Sequence, residues 1–276
     1  MFHAKNGTVL TGEAETDYVR FGRGEKTLIL IPGLGDGLKT VRGMALPFAL
    51  LYRGLAREFT VYSFSRRREL APHTGTREMA EDLARAMDAL GVGKASVIGV
   101  SQGGMIAEWL ALDHPEKVEN LVLTVTLCRQ NPTEREVVGR WIGMAERGDF
   151  TELMVDTAKR TYSPRRVGRA VTAARLAGKL AKPKSFDRFL IQAEACLSHD
   201  AYGALPGISC PTLVVGGEED RIVTAEASRE IAARIPGSVL LTYEGLGHGL
   251  YEETKDFWEK AAAFCRDGEL RPAPER

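Results

Sequence analysis

Nearly continuous apolar runs alternate along the chain with longer stretches in which apolar positions recur every three or four residues. The runs are "TLILIPG" (27–33), "FTVYSFS" (59–65), "ASVIGVS" (95–101) and "VENLVLTVTL" (118–127). Strands apolar on both faces belong inside parallel sheets covered by helices. Between them, "TREMAEDLARAMDALG" places Met79, Leu83, Ala86, Met87 and Leu90 on one helical face, with Thr76 as candidate cap and Gly91 as the stop. "GGMIAEWLALDHPEKV" reads as a helix up to the residue before Pro115. The opening, through "YVRFGRG", reads as two short strands joined by a turn. Strands alternating with helices imply an α/β architecture, a mostly parallel, doubly wound sheet with right-handed crossovers.

From residue 128 to 205 the alternation stops and helical patterns take over. "TEREVVGRWIGMAERGD" opens with Thr133 and Glu136 at capping-box spacing. "SPRRVGRAVTAARLAGKL" opens with a candidate cap serine and a proline at the first helical position. "SFDRFLIQAEACLS" is amphipathic. The α/β pattern returns with "CPTLVVGGEED", "TAEASREIAARI" and "SVLLTYEGLGH". The expected organisation is a core formed by 1–127 and 206–276, interrupted by a helical cap at 128–205. The tail "RDGELRPAPER" is charged and expected to fray.

Composition narrows the function classes. The 276 residues can bury one large core plus an inserted module, and 44% hydrophobic with 27% charged residues is ordinary for a globular protein. A formal net charge of zero gives no field that would recruit nucleic acid. The opening "MFHAKNGTVLTGEAETDY" lacks an apolar block, so no secretory leader is expected, and no run of 18 apolar residues offers a membrane span. The cysteines Cys128, Cys196, Cys210 and Cys265 are scattered, which suits free thiols in a reducing, cytoplasmic compartment. The five histidines show no metal-binding spacing, and neither a metal nor an organic cofactor is expected. Nothing in the pattern indicates an oligomeric state.

The candidate chemistry starts at Gly99-Val100-Ser101-Gln102-Gly103, a G-x-S-x-G placed where a buried strand becomes a helix. So tight a turn pushes the serine toward positive φ, and a Cβ at Gly99 or Gly103 would collide with the adjoining strand and helix. The hydroxyl then projects from the carboxyl end of the sheet, beside N–H groups aimed at developing negative charge. A serine needs a base, and the base an orienting acid. Downstream, "VVGGEEDRIV" ends a strand with Glu218, Glu219 and Asp220, and "EGLGHGLYE" places His248 on a glycine-flanked loop.

These motifs resemble the α/β-hydrolase superfamily, serine-hydrolase branch, over nearly the whole chain. The family's G-x-x-D matches Gly217-Glu218-Glu219-Asp220, and its G-x-G-H matches Gly245-Leu246-Gly247-His248. The resemblance implies Ser101 as nucleophile, His248 as general base and acid, Asp220 as the orienting carboxylate, and a helical cap acting as a lid. The oxyanion donors it implies are the backbone N–H groups of Gln102 and Leu34; the chain has Pro32-Gly33-Leu34-Gly35 where many members carry His-Gly. The expected activity is hydrolysis of a small carboxylic ester or related acyl compound through an acyl-enzyme. Lactones, thioesters, amides, carbon–carbon bonds, acyl transfer and peracid formation stay open, as does a ligand receptor on this scaffold.

Other features compete. "GLGDGLKT" is one residue short of a phosphate-binding loop, with Leu38 where glycine is required. Arg66, Arg67 and Arg68 replace the family's D-x-R-G-x-G-x-S, and residues 129–188 hold fourteen Lys and Arg against seven Asp and Glu. These charges either recruit a substrate carboxylate or, the simpler reading, form a solvated basic surface. His73 reads as a loop residue, His114 as structural, and His199-Asp200 precedes the acid strand, the wrong place for a triad. Trp109, Trp141, Trp258, Met105 and Met144 read as core by default.

Overall fold

A computed structural model describes residues 2–270 of the chain. The last part of the expected frayed tail, from 271 on, lies outside the described residues. The strands are β1 (Lys5–Thr11), β2 (Ala14–Gly22), β3 (Lys26–Ile31), β4 (Phe59–Arg67), β5 (Ala95–Val100), β6 (Val118–Thr124), β7 (Thr212–Gly217) and β8 (Val239–Tyr243). They form one sheet in the order β1-β2-β4-β3-β5-β6-β7-β8. β2 runs antiparallel to β1 and β4, and every pairing from β4 through β8 is parallel.

Alternation of side chains along the central strands supplies two cores. Ile29, Ile31, Val97, Leu121, Leu123 and Val214 face one layer, and Leu28, Leu30, Ile98, Val122, Leu213 and Val215 the other. The first layer is closed by α3 (Thr76–Ala89), α4 (Gln102–Asp113) and α9 (Ala225–Arg234). The second is closed by α1 (Ala45–Leu51), α2 (Leu55–Glu58), α10 (Leu250–Glu253) and α11 (Lys255–Asp267). Each such buried side chain contributes roughly 1.5–3 kcal/mol of transfer free energy.

Between β6 and β7 lie α5 (Pro132–Glu146), α6 (Phe150–Thr161), α7 (Val167–Leu180) and α8 (Asp187–Leu197). Of these, α6 carries no motif singled out in the sequence, as is true of the core helices α1, α2 and α11. Three caps differ from expectation. Helix α3 is capped at Gly75, whose N–H donates to Glu78 Oε2 at 3.0 Å, while the Thr76 hydroxyl turns to His199. Asn131 rather than Thr133 caps α5, accepting from the Glu134 N–H at 2.8 Å, with Pro132 first in the helix. Ser163 and Pro164 stand in the turn before α7, and the Ser163 N–H donates to Glu253 Oε1 at 2.9 Å.

Candidate active site

Ser101 sits between β5 and α4 with φ 54° and ψ −122°, the strained conformation expected of the turn. Its N–H donates to the Thr124 carbonyl at 2.9 Å, and Thr126 Oγ1 donates to its carbonyl at 2.8 Å, so the neighbouring strand holds the turn in place. The steric expectation for the flanking glycines is met. A Cβ on Gly103 would lie 2.1 Å from the Ile31 carbonyl oxygen, and one on Gly99 would lie 2.4 Å from that of Gly103.

The loop after β3 crosses beside the serine. A Cβ on Gly33 would stand 3.3 Å from Ser101 Cβ and 3.8 Å from its Oγ. Leu34 then opens a 3₁₀ turn, Leu34–Gly37. Among the described residues, neither the Leu34 N–H nor the Gln102 N–H donates to an acceptor of the protein. Further along this loop, the Leu38 and Lys39 N–H groups both bond back to the Gly35 carbonyl, so they do not form a phosphate cradle.

The acid and the histidine meet through backbone contact. The Glu219 N–H donates to the Leu246 carbonyl at 2.9 Å, and a Cβ on Gly217 would lie 2.6 Å from the Gly247 oxygen. This close approach brings Asp220 Oδ2 to 2.8 Å from His248 Nδ1, with both side chains buried. Asp220 Oδ1 accepts from the N–H groups of Ile222 at 2.8 Å and Val223 at 3.0 Å. Burial by itself pushes the Asp220 carboxyl up, but the His248 imidazole and these hydrogen bonds outweigh it and hold the group below its ordinary value. An ionised Asp220 fixes the proton on Nδ1 and leaves the lone pair on Nε2. Ser101 is partly exposed, and its Oγ makes no hydrogen bond among the described residues. The structure therefore joins Asp220 to His248 and leaves the serine–histidine bond unmade.

The arginine run is engaged by protein partners. Arg66 is buried and donates to the Pro32 carbonyl and to Gln102 Oε1. Arg67 pairs with Asp82 at 3.2 Å, and Arg68 pairs with Glu15 and Asp17. In the segment between β6 and β7, by contrast, Arg165, Arg169, Arg175, Lys179, Lys182 and Lys184 are exposed.

His199 is sealed away from the serine turn's chemistry. Its Nε2 lies 2.9 Å from Glu108 Oε2 and its Nδ1 2.8 Å from Thr76 Oγ1. Burial drives the imidazole down to about 3 and the Glu108 carboxyl well above the ordinary range, so burial favours the neutral form of each. His73 is exposed, and His114 Nε2 bonds Glu81 at 2.7 Å. Trp141 is buried with its Nε1 donating to Asp156 at 2.9 Å, Trp258 Nε1 donates to the Tyr251 carbonyl at 2.6 Å, and Trp109 stacks under Arg77. Met105 and Met144 pack in an apolar cluster with Leu34, Leu127, Trp141 and Ile222.

The four cysteines are free thiols. Among the described residues, no group of three or more His, Cys, Asp or Glu is placed to hold a metal ion, and no helix is long and apolar enough to cross a membrane.

Comparison with known proteins adds a family. Residues 26–254 match the alpha/beta hydrolase fold family. The polyketide synthase ThaQ of Burkholderia thailandensis is 29% identical over 96% of this chain, which spans 13% of that synthase. The "Putative carbamate hydrolase RutD" of Caulobacter vibrioides is 26% identical over 89% of this chain and 91% of its own length. Among solved structures, MGS-M2, an alpha/beta hydrolase from a deep-sea metagenome library of the Medee basin, superposes with a TM-score of 0.85 at 18% identity, covering 96% of this chain and 99% of that one.

Proposed function

The chain belongs to the alpha/beta hydrolase fold family, and from that premise we propose that it is a serine hydrolase cleaving a small carboxylic ester or related acyl substrate through an acyl-enzyme on Ser101. The observation that carries this reading is the 2.8 Å Asp220–His248 hydrogen bond, which leaves Nε2 as a base at the same sheet end as the serine turn.

In this mechanism Ser101 Oγ attacks the acyl carbon while its proton passes to His248 Nε2. The carbonyl electrons move onto oxygen, where the free N–H groups of Leu34 and Gln102 receive them. Such donors each contribute on the order of 3–4 kcal/mol. Collapse breaks the acyl–oxygen bond, and His248 returns the proton to the leaving alkoxide. Water, deprotonated by His248, then releases the acid and restores Ser101. The helices of 128–205 are proposed to cap the site and set substrate size.

A carbamate is the second reading, supported by the name of the relative that matches over nine-tenths of its length. A carbamate passes through the same tetrahedral oxyanion, so the residue roles do not change.

Labelling with a fluorophosphonate followed by peptide mapping tests the assignment. The expected adduct is on Ser101, and turnover of p-nitrophenyl butyrate is expected to vanish in Ser101→Ala. An adduct elsewhere, or full turnover in Ser101→Ala, would overturn it.

A further inference from the structure

Arg66 is 5% exposed, and one of its nitrogens does two jobs. Nη2 donates to the Pro32 carbonyl at 2.5 Å and to Gln102 Oε1 at 3.0 Å. Pro32 leads into Gly33 and Leu34, the loop beside Ser101, and Gln102 directly follows Ser101. A single guanidinium thus ties together the two segments that carry the unpartnered N–H groups.

The connection continues into α8. Gln102 Nε2 donates to the Gln192 carbonyl at 2.6 Å and to Cys196 Sγ at 3.2 Å. A second link runs through Asp36, whose Oδ2 accepts from the Arg66 N–H at 3.1 Å and from Arg188 Nη2 at 2.8 Å. Residues 188, 192 and 196 are spaced i, i+4 and i+8, so one face of α8 makes all these contacts.

Stability alone does not account for the arrangement. A buried guanidinium carries a desolvation penalty of several kcal/mol, and an apolar side chain would avoid it. Arg66 Nε and Nη1 are buried with no protein partner, so the group is not even fully satisfied. What it does complete is the bridge between the two donor segments.

We propose that Arg66 and Gln102 are positioning residues that couple the seating of helix α8 to the alignment of the Leu34 and Gln102 N–H groups toward the oxyanion. The inference rests on the serine-hydrolase reading above. With α8 seated, the Gln102 amide is held from both ends and its backbone cannot rotate. With α8 lifted, Gln102 loses both acceptors on the helix, and Arg66 alone joins the donor segments. The site is then competent when covered and poor when open.

The test compares wild type with Gln102→Met, Arg66→Met and the double variant. Each is checked for folding by circular dichroism and for the rate of fluorophosphonate labelling. Ester kcat and KM and inhibition by a trifluoromethyl ketone, which forms a tetrahedral oxyanion, complete the set. Gln102→Met is expected to lower kcat and the maximal labelling rate by roughly ten- to a hundredfold, below the roughly hundred- to thousandfold loss of a whole donor. KM should stay within about threefold, and the ketone should weaken by the factor lost from kcat. The double variant should be no worse than the weaker single one, because both act on one linkage. Folded variants with unchanged kcat and labelling rate, or with a raised KM alone, overturn the proposal. If Arg66→Met does not fold, Gln102→Met decides by itself. Failure of the underlying reading is distinguishable: wild type would then carry no label on Ser101.

Discussion

His248 and Asp220 are 28 residues apart in the chain and joined by a 2.8 Å hydrogen bond. The bond depends on two turns packed backbone to backbone at Gly217 and Gly247, where side chains would not fit. It fixes which imidazole nitrogen carries the proton, and the proposed chemistry needs that nitrogen to be Nδ1.

Asp220→Asn tests this directly. Its carbonyl oxygen would keep the N–H groups of Ile222 and Val223, leaving the amide NH₂ facing Nδ1. The ring would then be protonated on Nε2, and the serine would face a donor instead of a base. A loss in kcat of about 10²–10⁴ is expected, with folding intact. Steady-state kinetics beside a thermal melt checks it.

Gly103 and Gly93 form a matched pair for the turn. Gly103→Ala puts a methyl group 2.1 Å from the Ile31 carbonyl oxygen, and both partners are backbone that cannot step aside. A loss of more than about 3 kcal/mol is expected, with labelling of Ser101 abolished in any folded fraction. Gly93→Ala has nothing within 4 Å and should stay within about 0.5 kcal/mol of wild type. Urea titration of both variants measures the contrast.

The parallel strands and the serine turn were legible because each rests on local constraints. Apolar runs must be covered on both faces, and the turn admits no Cβ at Gly99 or Gly103. The pairing of Asp220 with His248 was legible only through the family motifs, since no local rule brings two loops together. The caps stand one to three residues from the expected positions, and for α3 and α5 a neighbour competes. Thr76 is drawn to His199, and Asn131 stands one residue before Pro132, which takes the first helical position. The arginine run was unreadable for a different reason. Three adjacent cations look solvated until Asp82, Asp17 and the Pro32 carbonyl arrive from distant segments. Gln102 was singled out for its backbone, and nothing in the sequence marked its side chain as the link to α8.

The buried trio of Thr76, His199 and Glu108 gives a prediction about charge. If Glu108 is neutral, Glu108→Gln keeps a donor facing His199 Nε2 and should cost less than about 1.5 kcal/mol. Glu108→Ala leaves Nε2 buried and unpartnered, removes packing as well, and should cost about 3–5 kcal/mol. Equal, large losses in the two variants would show that the carboxylate is ionised. Denaturant midpoints near neutral pH separate the outcomes.

Glu134 gives the molecule a pH dependence of known sign. It opens α5 with 1% exposure, and neither carboxylate oxygen has a protein partner. Burial raises its pKa from 4.5 to about 7, with Arg135 partly opposing the shift. Between those values the folded chain holds a proton that the unfolded chain has released. Stability from this group is therefore full below the unfolded pKa, falls as pH rises through the window, and is level above about 7. Glu134→Gln removes the slope, because its amide stays neutral. The variant should match wild type near pH 4 and exceed it by on the order of 2–3 kcal/mol at pH 8. In a chain of this size that corresponds to a rise in melting temperature of several degrees. A pH series of thermal melts on both proteins reads it; a constant offset at every pH would mean that Glu134 titrates alike in the folded and unfolded chains, and would overturn the expectation.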